Sequence, residues 1–238
     1  MSIPGEDTAK DREGKREADI EGKGEEDIEG KGEGDIEGRG EGDPRNDLKM
    51  NPKDVALLLY RAMMLPDGEV FPQPDQPKYT SADYTRMACH ILFCCKRCGT
   101  CCTTGDPIRL RPEDAVQLAK HLKIPLRKAL KKYTVPDPKR AGVLNFKHIL
   151  PCKFYDKRAE GCKIYSARPW SCRIFPFLGV YGSSRQVVVN PSCPGSVETM
   201  TALTEAMEEV RREQQGYSPS REEIRRSKER LRSALESI

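Results

Sequence analysis

Five of the ten cysteines in this 238-residue chain lie within ten consecutive residues, Phe93 to Cys102. Four of them, Cys95, Cys98, Cys101 and Cys102, form a C-x2-C-x2-C-C pattern. Disulfide pairing inside such a run is geometrically poor, whereas two residues between cysteines let a tight turn direct both sulfurs to one metal ion. The first three cysteines also match the start of the bacterial ferredoxin pattern, C-x2-C-x2-C. The run therefore predicts a metal or cluster site built from thiolates.

Four single cysteines farther along the chain complete a set of eight candidate ligands. The set is Cys95, Cys98, Cys101, Cys102, Cys152, Cys162, Cys172 and Cys193. Cys94 lies outside this spacing, and Cys89 falls within a predicted helix, where a lone cysteine usually packs as a small hydrophobic residue. Several cations adjoin the cysteines and would offset the charge of metal-bound thiolates. These cations are Lys96, Arg97, Lys153, Lys163, Arg168 and Arg173.

The pattern as a whole resembles the CxxCxxCC family, also called YkgJ-like, whose members carry a zinc- or iron-chelating cysteine domain. After the run, the family continues with L-x-P-x-D, C-x-F, C-x-I-Y-x-x-R-P-x-x-C-R-x-x-P-F and C-P-G. The matching segments here are Leu110–Asp114, Cys152–Phe154, Cys162–Phe177 and Cys193–Gly195. The resemblance extends from about Tyr84 to Gly195 and includes all eight cysteines. It implies metal binding by those residues, with Arg168 and Pro169 as structural support for the site.

Four thiolates suit both zinc and iron–sulfur clusters. Zinc sites usually present two separated pairs of cysteines, whereas this chain has three closely spaced cysteines followed by scattered single ones, which favours a 4Fe–4S cluster. Neighbouring Cys101 and Cys102 are expected to point apart, so the ligands would form two groups of four. One group is Cys95, Cys98, Cys101 and Cys193, because a proline follows Cys193 as it follows the fourth ferredoxin cysteine. The other group is Cys102, Cys152, Cys162 and Cys172.

Three functional interpretations remain open at this level. The first is a metal-binding protein whose cluster or zinc has a structural, storage or electron-transfer role. The second is an enzyme, which the resemblance implies because flagellin lysine methylases carry a related domain and use S-adenosylmethionine. The third is a zinc module that organises a protein or nucleic-acid partner. The familiar enzymatic motifs, such as a P-loop, G-x-G-x-x-G, H-E-x-x-H or a nucleophile elbow, are missing from the sequence.

The composition of the chain indicates its cellular compartment and limits the kinds of partner that it could bind. No apolar run approaches membrane length, and the first residues do not form a secretory signal, so we expect a cytoplasmic protein whose thiols stay reduced. Residues 1–47 carry 8 basic and 17 acidic side chains, whereas the remainder carries 33 basic and 20 acidic ones. The expected partner is a metal ion or cluster, and a protein is a further candidate. A membrane is not expected, nor is nucleic acid, because the aromatic residues are few and are not interleaved with the basic ones.

Four segments are predicted along the chain. Residues 1–47, where Asp-Ile-Glu-Gly recurs every eight residues, should be a disordered acidic arm. Residues 48–80 should form a helix and a proline-rich linker, 81–195 the metal-binding domain, and 196–238 C-terminal helices. Helices are predicted at 52–65, after a Ser81 cap, after Pro112 and Pro125, from Ser196, and after Ser220, with strands at 143–149 and 187–189. The expected fold class is α+β, mainly α, with a small metal-stabilised domain.

Overall fold

The computed structural model describes residues 50–103, 108–147, 150–159, 161–178 and 186–236. The predicted acidic arm at 1–47 lies outside these ranges. Over the described residues the fold is α+β and mainly α, which confirms the predicted class. The helices are α1 (Pro52–Ala62), α2 (Asp67–Val70), α3 (Ser81–Leu92), α4 (Thr100–Thr103), α5 (Pro112–His121), α6 (Leu126–Tyr133), α7 (Trp170–Ile174), α8 (Pro194–Glu213) and α9 (Arg221–Glu236). None of these helices is both long and apolar enough to cross a membrane.

Local capping residues explain where the longer helices begin. Asn51 caps α1 by accepting a 2.8 Å hydrogen bond from the Asp54 N–H, with a proline at the first helical position. α1 ends at Ala62, three residues before the predicted end. α3 is capped by Thr80 rather than by Ser81, through a reciprocal capping box with Asp83. The helix predicted after Ser220 is confirmed as α9, and the bonds between Ser220 and Glu223 form a capping box at its start.

A helical core occupies one part of the molecule. α1 packs against α3, α8 and α9, and α3 also packs against α8 and α9. The apolar faces meet in fully buried side chains, because each helix carries apolar residues at helical spacing. They include Val55, Leu59, Met87, Leu203, Val210 and Leu231.

A second, smaller core forms around a three-stranded antiparallel sheet. The strands are β1 (Arg109–Leu110), β2 (Thr134–Pro136) and β3 (Leu144–Phe146), in the order β1-β3-β2. α5 and α6 pack together beside it, and the rings of Tyr133, Phe146 and Phe154 cluster beneath, with centroids 5.1–6.5 Å apart. A hairpin of β4 (Tyr155–Asp156) and β5 (Gly161–Cys162) follows. The strand predicted at 187–189 is wrong, since those residues form no strand.

Cysteines lie where the two cores meet. Cys193 is buried in the helical core, and Cys95 packs against it. Cys152 is buried in the sheet core, and Cys102 and Cys162 pack against it. Cysteines of the run and later cysteines therefore lie in both hydrophobic clusters, on the sides where the two clusters meet.

Candidate metal centre

All eight predicted ligands line a single cavity of about 60 Å³. One water-sized sphere requires about 10–15 Å³, so the space exceeds a single water several-fold. The walls also include aromatic and aliphatic side chains from both cores, among them Phe93, Phe146, Ile164 and Phe175. Among the described residues, the lining contains no aspartate, glutamate or histidine. Its potential metal ligands are therefore soft sulfur donors, which suit zinc and iron better than magnesium or calcium.

Left-handed backbone shapes the turn that carries the run. Arg97 and Gly99 have φ values of +54° and +76°. A Cβ on Gly99 would lie 2.3–2.5 Å from three atoms of the Tyr155 side chain, so only glycine fits there. The chain then enters α4, where the Cys102 N–H donates to the Gly99 carbonyl at 2.8 Å. This turn carries Cys98 and Cys101 into the lining of the cavity.

Hydrogen bonds and close packing fix the run to both of its neighbours. On one side the Thr100 hydroxyl donates to the Ser192 carbonyl at 2.8 Å, next to Cys193. A Cβ on Gly195 would lie 2.6 Å from the Cys94 carbonyl oxygen, which explains the glycine of the C-P-G segment. On the other side the Cys152 N–H donates to the Cys102 carbonyl at 2.7 Å. The distant cysteines are thus brought to the run by backbone contacts.

Asp114 positions the helix that carries Cys172. Its carboxylate is buried and accepts hydrogen bonds from the Arg111 N–H and the Trp170 N–H, each at 2.9 Å, and from Arg173 at 3.4 Å. It therefore satisfies free N–H groups at the start of both α5 and α7. In the sequence, Asp114 is recognisable only as the acid of a helix opening. Its position in the L-x-P-x-D segment marks it as a candidate for a further contact. The residue that it contacts, Trp170, lies 56 positions away, so the sequence does not reveal which one.

Cys101 and Cys102 approach each other directly. Their Sγ atoms are 3.9 Å apart, so the expectation that these side chains point apart is wrong. Hydrogen bonding with the Cys102 thiol lowers the pKa of Cys101 to about 7 and that of Cys152 to about 6. The same two bonds raise the pKa of Cys102. The three thiols therefore form one interacting group, in which Cys101 and Cys152 ionise more readily than Cys102.

The remaining cysteines fall into two electrostatic neighbourhoods. Burial raises the pKa of Cys162 to about 11 and raises that of Cys172. Repulsion from the nearby thiolates of Cys101 and Cys152 raises both pKa values further. Burial likewise raises the pKa of Cys193, whose thiol neighbours are instead Cys98 and Cys95. One neighbourhood therefore contains Cys95, Cys98 and Cys193. The other contains Cys101, Cys102, Cys152, Cys162 and Cys172.

Arg168 supplies positive charge to the larger neighbourhood. Its Nε donates to the Tyr165 carbonyl at 3.1 Å, and its guanidinium lies 3.8 Å from the centroid of the Tyr165 ring. Held in this way, it favours the ionised forms of three thiols, those of Cys101, Cys162 and Cys172. Among the other predicted cations, Lys96 pairs with Glu198, and Lys163 pairs with Asp156.

The two cysteines excluded from the predicted set differ from the eight. Cys89 is fully buried in the helical core, and its burial raises its pKa to about 12. Cys94 is exposed. All ten cysteines fall within the described ranges, and all are free thiols. Across those ranges no three or more His, Cys, Asp or Glu side chains are already arranged to hold one ion. The eight thiols thus share a cavity of suitable chemistry without converging on one point.

The sequence profile of the CxxCxxCC family, described as "Putative zinc- or iron-chelating domain", matches residues 94–194. The match covers 101 of the 238 residues, a little over two fifths of the chain. The matched range contains the whole C-x2-C-x2-C-C run and all four later cysteines. No curated protein and no solved structure matched the chain. The chemistry in the family description is chelation of zinc or iron, which agrees with a cavity whose described lining offers thiols and no carboxylates.

Proposed function

We propose that this protein binds metal through the eight cysteines, as an iron–sulfur centre in the first instance, and that the metal joins its two cores. The observation that carries the proposal is the shared cavity, which all eight thiols line at the boundary between the helical core and the sheet core. Thiolates are the standard ligands of such centres, and the cation of Arg168 offsets part of their charge.

Two features support iron–sulfur chemistry over a single zinc ion. Eight thiols are twice the four ligands that a structural zinc takes. In addition, the thiols surround a space several times the size of one water rather than meeting at a point. An iron–sulfur cluster, which inorganic sulfide makes larger than a single ion, could reach thiols that are spread around such a cavity. When bound, it would supply cross-links and one-electron redox capacity.

Zinc is the second candidate, favoured by the separation of Cys101 and Cys102. Two thiolates on one tetrahedral zinc, each about 2.3 Å from the ion, lie about 3.8 Å apart. The observed Sγ–Sγ distance is 3.9 Å. This contact also revises the ligand groups. It supports a proposed grouping in which Cys101 binds with Cys102, Cys152, Cys162 and Cys172, while Cys95, Cys98 and Cys193 form the other group.

A structural role for the metal follows from the small size of the elements around the cavity. The cysteines of the sheet core lie on or beside α4, α7, β4 and β5, each two to five residues long. Elements of this length are too short to be stable without tertiary support. Metal–thiolate bonds would provide that support, because metal-binding free energy then becomes folding free energy.

The test is metal analysis of the full chain purified without oxygen. An iron–sulfur centre predicts iron and acid-labile sulfide in similar amounts with broad visible absorbance, whereas zinc predicts a colourless protein with neither. Cys101→Ser and Cys102→Ser should remove the same fraction of metal, and Cys95→Ser and Cys193→Ser the other fraction. Cys89→Ala and Cys94→Ala are the controls and should retain all of it.

Two outcomes would count against these assignments. Only trace iron and zinc in the unmodified protein, with no uptake on reconstitution, would overturn metal binding itself. Equal and complete loss from all eight single substitutions would instead indicate one cooperative centre, and the division into two groups would be wrong.

A further inference from the structure

A surface of concentrated positive charge covers part of the sheet core. Residues 115–155 carry ten lysines and arginines but one acid, Asp137. Six of these cations lie on α6 or on residues that contact α6, and they are called here the basic face. They are Arg127, Lys128, Lys131, Lys132, Lys147 and Lys153.

α6 contributes four of the six cations. Its inner side is formed by Ala129 and Tyr133, which are buried against α5 and the sheet. At about 100° per residue, Arg127, Lys128, Lys131 and Lys132 fall within an arc of about 140° on the opposite side. All four are exposed. The amphipathic pattern of this helix therefore places every one of its charges toward solvent.

Lys147 and Lys153 extend this surface beyond the helix. The Lys147 ammonium donates to the Lys131 carbonyl at 2.9 Å. The Lys132 and Lys153 ammonium groups lie 5.5 and 4.8 Å from the centroid of the same ring, Tyr133. The six cations thus form one continuous patch, even though they come from three separate segments.

The charge of the basic face is not neutralised within the described ranges. None of its six cations forms an ion pair with a carboxylate there, whereas Lys53 bonds to two glutamates and Lys96 and Lys163 to one acid each. Like charges held together in this way repel one another, so an anionic partner that relieves the repulsion is favoured.

We propose that the basic face binds the phosphate backbone of double-stranded nucleic acid, without regard to sequence. A duplex presents one negative charge about every 1.7 Å along its axis, which matches a patch of cations without acids. Protein interfaces, by contrast, are depleted in lysine, and five of these six cations are lysines.

The mode of binding follows from the aromatic residues. Single-strand binding relies on exposed rings that stack on bases, but Tyr133, the ring of this patch, is buried. The sequence-based expectation against nucleic acid rested on that missing stacking. Contact with a duplex backbone does not require it. The inference goes beyond metal binding and does not depend on it.

The test measures binding of the full chain, as purified with its metal, to a fluorescent mixed-sequence 20-base-pair duplex between about 50 and 200 mM salt. The variant carries R127Q, K128Q, K131Q and K132Q, since glutamine preserves helix propensity. A matched control removes four exposed cations from α8 and α9 through R211Q, R212Q, R226Q and R230Q. Circular dichroism and metal content verify that both proteins are folded.

We expect the basic-face variant to bind at least tenfold more weakly while the control binds like the unmodified chain. The slope of log K against log salt should become shallower by about 0.9 for each phosphate that the variant no longer neutralises. Three results would overturn the proposal. They are no duplex binding at the lowest salt, equal weakening in the control, or binding of polyglutamate of equal charge as tight as that of the duplex, which would indicate an acidic protein partner.

Discussion

Gly99 illustrates how single residues constrain the cysteine run. It combines a left-handed backbone conformation with direct contact against the Tyr155 side chain. A side chain would therefore meet two separate penalties at this position, one conformational and one steric. The residue occupies the middle of the run, so either penalty would displace Cys98 and Cys101 from the cavity.

Gly99→Ala is predicted to destabilise the protein and to reduce its metal content. The left-handed conformation costs about 1–2 kcal/mol, and the clash with Tyr155 adds about 1–3 kcal/mol. Gly142→Ala is the matched control, because Gly142 has φ +77° but open space around its Cβ position. It should show only the first cost and retain its metal. Urea unfolding and metal-to-protein ratios measure both effects, and equal losses in the two variants would refute the role of Tyr155.

The eight cysteines that line the cavity could be predicted at this scale, but the residues that support them could not. Cysteines are recognisable because their spacing is local and few residue types bind soft metals. Tyr155 and Asp114 act through packing and hydrogen bonds to residues about 56 positions away, and such contacts leave no periodic signal in one sequence. The Cys101–Cys102 contact was also missed, since side-chain direction depends on the turn that Arg97 and Gly99 impose.

Asp114 acts at the scale of elements, because it joins the start of α5 to the start of α7. Asp114→Asn should remove one acceptor oxygen and leave a buried N–H without a partner, at a cost of about 1–3 kcal/mol. Because α7 carries Cys172, metal content should fall as well.

Asp83→Asn is the control, since Asp83 holds the same third position in the capping box of α3 but makes no bond to α7. It should lower stability without loss of metal, and the same metal loss in both variants would contradict the prediction.

A buried charge cluster joins α2, α3 and α9. The Asp67 carboxylate is bonded by Lys228 at 2.7 Å, Arg232 at 2.6 Å and the Tyr84 hydroxyl at 2.9 Å. Burial alone would raise the pKa of Asp67, but hydrogen bonds from Lys228, the Tyr79 N–H and Tyr84 outweigh it, so the pKa is lowered. A carboxyl with a lowered folded pKa stabilises the protein above its unfolded pKa of about 3.9, and this contribution is lost as pH falls through the folded value.

Asp67→Asn is therefore predicted to cost about 3–5 kcal/mol near neutral pH, because the buried Lys228 and the partly buried Arg232 lose their carboxylate. Lys228→Met should cost less, since Arg232 still pairs with Asp67. As pH falls below about 4, the unmodified protein should lose stability more steeply than Asp67→Asn. Urea unfolding at several pH values measures this. Parallel pH profiles for the two proteins would exclude Asp67 as the source of the acid sensitivity.

Element boundaries were predictable wherever the determinant is local. Asn51 with Pro52, and Ser220 with Glu223, give the start of α1 and α9 correctly, because caps act within three residues. The inward cations of α9 were not predicted. The helix is rich in arginine and lysine, and only the distant Asp67 makes it favourable to bury Lys228.

At the scale of the whole molecule, the two cores differ in size. Among the described residues, seventeen buried side chains form the helical core and ten form the sheet core. The helical core is built from long helices with matching apolar faces, whereas the sheet core rests on two- and three-residue strands. The α+β class was predictable from periodicity. The division into two cores was not, since it depends on pairings between segments far apart in sequence.

Removal of metal is predicted to destabilise the sheet core selectively. If the centre contributes about 4 kcal/mol, as binding at a thousandfold excess over Kd would, the Tm should fall by roughly 8–16 °C. Amide hydrogen exchange should then accelerate in α7, β4 and β5, because their support comes from thiolates, while the interior of α1 and α8 keeps its protection. The metal is removed with a chelator. A Cys102→Ser, Cys152→Ser double variant is the control, since it lacks two of the proposed ligands and the chelator should shift its Tm far less. An unchanged Tm in a sample verified to be free of metal would show that the two cores hold together through packing alone.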